Sequence, residues 1–153
     1  MKTLANAGDA AEVKRRLGSL RADSVPAWGR MTAHQMVCHL SDGYRILTGE
    51  RATHLVKPPL PRPVMKWFAL YAPVRWPRGL PTTPDLDQRG GGSRPIDFAA
   101  DVAVLAQLLD SFTGDHRRIS AKAFHPLFGA MSEAAWLRWA YLHADHHFRQ
   151  FGI

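Results

Sequence analysis

His143 and His147 lie four residues apart in the run Trp136-Leu137-Arg138-Trp139-Ala140-Tyr141-Leu142-His143-Ala144-Asp145-His146-His147-Phe148-Arg149-Gln150. The run reads as a helix, and on a helix residues at that spacing sit one above the other on the same face. Trp136, Trp139 and Ala140 fall on or beside that face, and large aromatics turn into a core. Two inward imidazoles at i, i+4 make half of a metal site. A catalytic site typically needs three protein ligands, with nitrogens at about 2.0–2.1 Å and one open position. His39, on the inward side of another helix, is the best third ligand. Helical bundles build metal sites in this way, from side chains on facing helices. Imidazoles do not select among divalent metals, so zinc, nickel, manganese and iron all remain candidates.

The other titratable groups carry weaker signals. His146 is turned about 100° from His147 and is expected to meet solvent, an outer partner of the site or a subunit. Asp145 points further away. Asp42, three residues after His39, could orient a ligand from outside the coordination sphere. His34 reads as surface, His54 and His116 sit in connections, and His125 reads as part of a turn. Cys38 is about 100° around the helix from His39 and reads as a buried, inert thiol. The chain has no Gly-rich phosphate loop ending in Lys-Ser/Thr, no paired-cysteine motif and no Gly-x-Ser-x-Gly elbow.

Four amphipathic helices must position the histidines. The first runs from about Gly8 to Leu20, with Ala10, Val13, Leu17 and Leu20 inward and Asp9 as its expected N-cap. The second opens on Thr32, with Gln35 three residues later closing a capping box. The third runs from about Pro95 to Phe112 on the seam Phe98, Val102, Leu105, Leu109 and Phe112, and Gly114 stops it. The fourth starts near Ser132 and runs to about Arg149. No strand-period segment competes with them. The expected fold is an all-α four-helix bundle, one domain over residues 1–153.

Between the second and third helices lies a long crossover. Residues 48–92 hold eight of the eleven prolines. Pro58, Pro59, Pro61 and Pro63 oppose regular helix there, while a short helix from about Val64 to Tyr71 fits the pattern. Trp67, Phe68, Tyr71 and Trp76 argue for an ordered flap over one end of the bundle.

Composition narrows the classes. With 46% hydrophobic and 22% charged residues among 153, the chain has the balance of a soluble globular protein. No apolar run has the length of a membrane span, and residues 1–13 lack an apolar signal core. The single cysteine allows no internal disulfide, which suits a cytoplasmic setting. The net charge of +7 is concentrated between Tyr44 and Arg94, where nine Lys/Arg face three Asp/Glu. A solvated basic surface explains this better than nucleic-acid binding, since no such motif is present.

The stretch Trp28-Gly29-Arg30-Met31-Thr32-Ala33-His34-Gln35-Met36-Val37-Cys38-His39-Leu40 resembles the second-helix motif of the DinB-like (YfiT-like) metal-binding superfamily. His125-Pro126-Leu127-Phe128-Gly129 and the run from Trp136 to Gly152 resemble one of its uncharacterised branches. The resemblance covers residues 28–47 and 125–152, and the middle only by length and helix order. It implies a four-helix bundle, often a homodimer, with a divalent metal on three histidines that map to His39, His143 and His147. Some relatives so implied are transferases or isomerases using a low-molecular-weight thiol such as bacillithiol or mycothiol. The functional expectation is a metal-dependent enzyme acting on a small molecule, by thiol transfer first and hydrolysis second. A non-catalytic metal-binding or stress-response module is the alternative.

Overall fold

The computed structural model describes residues 1–114 and 117–153; the expectation for His116 lies outside the described residues. The protein is mostly α-helical: α1 (Ala7–Gly18), α2 (Ala33–Thr48), α3 (Arg62–Tyr71), α4 (Phe98–Asp110) and α5 (Glu133–Gln150). A 3-10 turn spans Pro84–Leu86, and two-residue strands β1 (Phe124–His125) and β2 (Gly129–Ala130) pair antiparallel.

Local chemistry sets the helix ends. Thr32 caps α2, and the reciprocal Gln35 bond completes the box expected there. Gly49 ends α2 in the left-handed conformation at φ 80°, where a Cβ would lie 2.8 Å from Ser120 Oγ. Ser132 caps α5 through the Ala135 amide. Two boundaries differ from expectation. Asn6, not Asp9, caps α1 by accepting from the Asp9 amide at 3.1 Å, and the Asp9 carboxylate accepts instead from the Thr3 amide at 2.9 Å. Asp97 starts α4 by accepting from the Ala100 amide at 2.7 Å, so the helix begins three residues after Pro95.

α3 begins inside the proline cluster. Pro63 occupies its first turn, where a missing amide hydrogen costs no helical bond. The small ladder was not legible as strand periodicity. His125 Nδ1 accepts from the Leu127 and Phe128 amides at 3.2 and 3.3 Å and closes the turn between β1 and β2.

α2 packs chiefly against α4 and also against α5, while α1 covers α4 and α5. Their shared core holds Tyr44, Phe112, Trp136, Phe148 and several leucines, all essentially inaccessible to solvent. Tyr44 donates to the Ala140 carbonyl at 2.9 Å, which satisfies its hydroxyl and fixes α2 against the middle of α5. His39 thereby faces the turn of α5 that carries His143 and His147.

Candidate metal centre

The structure brings His39, His143 and His147 together. Their ring centroids form a nearly equilateral triangle with sides of 5.0, 4.8 and 4.9 Å. One nitrogen from each lies within 4.8 Å of the other two. Nε2 of His39 and Nε2 of His143 are 3.0 Å apart.

Hydrogen bonds fix two of the three rings. The Leu86 carbonyl accepts from His39 Nδ1 at 2.9 Å. A carbonyl has no hydrogen to give, so His39 Nδ1 carries the proton and Nε2 carries the lone pair. Gln150 Oε1 accepts from His147 Nδ1 at 3.0 Å. The Gln150 amide is itself oriented, because its Nε2 donates to the Trp28 carbonyl at 2.8 Å. Nε2 of His147 is therefore also unprotonated.

His143 is different. Its Nδ1 is buried with no partner among the described residues. It sits against Gly43, where a Cβ would come within 3.2 Å of His143 Cε1 and of Trp139 Cη2. If His143 Nε2 donated to His39, Nδ1 would be a buried acceptor with nothing to accept. If Nδ1 held the proton, it would be a buried donor with no acceptor, and two lone pairs would face each other at 3.0 Å. A cation among the three nitrogens removes that lone-pair repulsion.

Burial pushes all three imidazoles below their ordinary pKa, His143 and His147 strongly. For His39 the Leu86 carbonyl and the Asp42 charge oppose that fall. For His143 the neighbouring His147 and His39 deepen it. The set is thus three neutral imidazoles, the form that donates lone pairs. A separation of 3.0 Å is within the span available to two nitrogens each about 2.0–2.1 Å from one ion. The donor set fits a divalent transition metal.

Asp42 bears on this site indirectly. Its fully buried carboxylate accepts from the Ser93 amide at 2.7 Å, Ser93 Oγ at 2.6 Å and Gln88 Nε2 at 3.2 Å, and pairs with Arg51 at 3.0 Å. Arg51 also donates to the Asp85 carbonyl at 2.7 Å. Together they close residues 85–93 onto α2 and hold Leu86 where its carbonyl meets His39. Asp42 makes no direct bond to that ring among the described residues.

Of the alternatives open for His146, solvent is ruled out: the ring is buried beside His147, at 5.2 Å between centroids, with Trp28 and Trp76 packed against it at 6.2 and 5.9 Å. Its Nδ1 has no partner among the described residues. Trp76 also lies over His143 at 6.3 Å and donates from Nε1 to the Ala69 carbonyl at 2.7 Å. Asp145 points away as expected and pairs with Arg16 and Arg149, both at 2.8 Å.

His34 is only partly exposed and contacts Asp101 at 2.6 Å, which brings it near Cys38 in a second cluster with Asp101. Burial, reinforced by Asp101, pushes the Cys38 thiol up to about 12. His125 is buried in its turn, stacked on Phe128 at 4.2 Å. His54 is exposed beside Asp85.

A cleft of about 170 Å³ reaches His147, His146 and Gln150 between Trp28, Arg30 and Arg89. Arg78 lies over Trp28, 4.6 Å from its ring centroid. Another cleft, of about 180 Å³ between α2 and α4, shares no lining residue with the histidine triangle. The sequence signalled the three histidines. The Leu86 and Trp28 carbonyls carry no side-chain signal, whereas Gln150, three residues after His147, was open to helical spacing.

Fold and site together define a mostly helical protein with a buried histidine triangle at the foot of a small cleft. The chain belongs to the family described as "Protein of unknown function (DUF1569)", which it matches over residues 9–152. Comparison with curated proteins and with solved structures gives no match.

Proposed function

We propose that this chain is a metal-dependent enzyme in which Nε2 of His39, His143 and His147 holds one divalent ion, zinc or nickel before manganese or iron. The observation that carries the proposal is the fixing of two tautomers: Leu86 and Gln150 each hold an Nδ1 proton, leaving the Nε2 lone pairs of His39 and His147 free. In this reading α1, α2, α4 and α5 form a four-helix bundle of the DinB-like kind, with α3 added by the crossover. The homodimer and the reducing, cytoplasmic setting implied by that resemblance and by the single buried cysteine belong to the same proposal.

A divalent ion supplies Lewis acidity there, lowering the pKa of a thiol or water at its open position. Neutral imidazoles leave the ion's positive charge uncompensated, which strengthens that effect. Trp28 lines the cleft and Trp76 packs on His143 and His146, so apolar rings border the site. Arg30 and Arg89, which line the cleft against a single acid, Asp87, suit an anionic group on the incoming molecule. In thiol transfer the sulfur bonds to an electrophilic carbon, the leaving group departs with the bonding electrons, and the thiol proton passes to solvent. A low-molecular-weight thiol and a small electrophile are the proposed substrates.

One observation favours a non-catalytic reading. All three rings are more than nine-tenths buried, and of them only His147 lines the cleft. A structural metal would need no more access than that.

Metal analysis of untagged protein tests the first step, with about one ion per chain expected. Content below about one-tenth per chain, unrecovered with zinc, nickel or manganese, contradicts it. With cobalt in the site, a change in visible absorption on adding a small thiol supports the open-site enzyme. An unaltered spectrum leaves the structural reading in its place.

A further inference from the structure

The segment from Leu55 to Leu80 displays apolar surface that the histidine site does not explain. Of the eleven exposed large apolar side chains among the described residues, eight lie in it. Four of them, Val64, Trp67, Phe68 and Tyr71, stand on α3 at spacings that place them on one helical face. Trp67 is 60% exposed and Phe68 55%.

The opposite side of α3 is already committed. Leu70 is fully buried, and Met65 and Ala69 pack on the core. Arg138 of α5 donates to the Leu70 carbonyl at 3.0 Å. α3 thus packs one side on the core, the side on which Arg62 and Lys66 also fall by helical spacing, and leaves a contiguous apolar face open on the other, and such a face marks an interaction site.

Charge indicates what covers it. Residues 55–80 contain Lys57, Arg62, Lys66, Arg75 and Arg78 and no Asp or Glu. Lys57, Arg75 and Arg78 are exposed. A second copy docked two-fold on this face would set these cations against their own duplicates, with no carboxylate in the segment to relieve them. An anionic lipid surface offers the complementary charge, and aromatic side chains beside basic ones form an interfacial anchor.

We infer that the α3 face of Val64, Trp67, Phe68 and Tyr71, with the exposed Lys57 and Arg75 of the same segment, docks on an anionic phospholipid surface. No helix of the described residues is long and apolar enough to cross a membrane, so the contact is peripheral. Trp76, from the same segment, bonds the Ala69 carbonyl of α3 and forms a wall of the histidine site. Docking therefore brings the cleft close to the lipid boundary. The inference does not depend on a metal.

Flotation of the full chain with phosphatidylcholine vesicles, with and without phosphatidylglycerol, tests it. The protein is expected to float with the anionic vesicles and not with the neutral ones. Raising NaCl from about 0.1 M to about 1 M shortens the screening length from about 10 Å to about 3 Å and should release most of it. The Trp67→Ser/Phe68→Ser variant should lose at least about tenfold in binding. Lys57→Glu/Arg75→Glu should erase the preference for anionic lipid. All four positions are outside the core, so an unchanged melting temperature shows that the fold is kept. Equal flotation with both vesicles, or with neither, overturns the inference. So does a dimer, seen by sedimentation, that dissociates in Trp67→Ser/Phe68→Ser, which assigns the face to a second copy.

Discussion

Nε2 of His39 and Nε2 of His143 are 3.0 Å apart, although 104 residues separate them in the chain. The Leu86 carbonyl occupies the Nδ1 proton of His39, so this is a contact directed by a lone pair and not loose aromatic packing. Everything proposed for the site follows from it and from the matching orientation of His147.

Gln150 holds that orientation. Replacing it with Leu removes the acceptor for His147 Nδ1 and the donor to the Trp28 carbonyl. Loss of such an outer partner lowers metal affinity about 10- to 100-fold. Competition with a chromophoric chelator measures the change, and an unaltered affinity would show that His147 needs no orienting partner.

Gly43 makes room for His143. In Gly43→Ala the new methyl meets His143 Cε1 and Trp139 Cη2, each at 3.2 Å. Alanine gains about 1 kcal/mol of helix propensity, but overpacking costs about 1–3 kcal/mol. Both neighbours are rigid, buried rings, so crowding wins. Denaturant titration should show a net loss of about 1 kcal/mol, together with weaker metal uptake.

Arg51 closes the loop that carries Leu86. Arg51→Ala leaves the buried Asp42 carboxylate with fewer donors and frees the Asp85 carbonyl. The expected loss is about 1.5–3 kcal/mol, the range for a hydrogen bond to a charged group. Hydrogen exchange should rise in residues 85–93. Protection equal to that of the parent protein would mean the loop is held by Ser93 and Gln88 alone.

Acid should destabilise the metal-free protein. Burial lowers the pKa values of His39, His143 and His147, and takes His146 to about 4 and His125 to about 3. Above the unfolded value of about 6.5 both states are neutral. Below it the unfolded chain takes up protons that the native one refuses, so stability falls with pH until the folded values are reached. Each such histidine contributes up to about 1.4 kcal/mol per pH unit. Melting temperatures between about pH 7 and pH 4 check the sign, and a flat profile contradicts the burial of these rings.

The helices and the triangle were largely legible in the sequence because both depend on spacing. Thr32 and Gln35 announced the start of α2, and the four-residue step between His143 and His147 announced a shared face. The misreadings arose where long-range packing decides. The surroundings of His146 stayed open between solvent, an outer partner and a subunit because nothing local brings Trp28 and Trp76 against it. His34 looked like surface because Asp101 reaches it from another helix. Asn6 displaced Asp9 as a cap because Asp9 had a second partner in Thr3. The β1–β2 ladder is too short to show a period, and it rests on a histidine accepting from two backbone amides.

Anomalous diffraction from a crystal of the metal-loaded protein, recorded at the absorption edge of the bound metal, bears most directly on the site. The expected result is one peak at about 2.0–2.1 Å from Nε2 of each of His39, His143 and His147. Absence of a peak among these three nitrogens, with the metal found instead at His34, Cys38 and Asp101, would contradict the account.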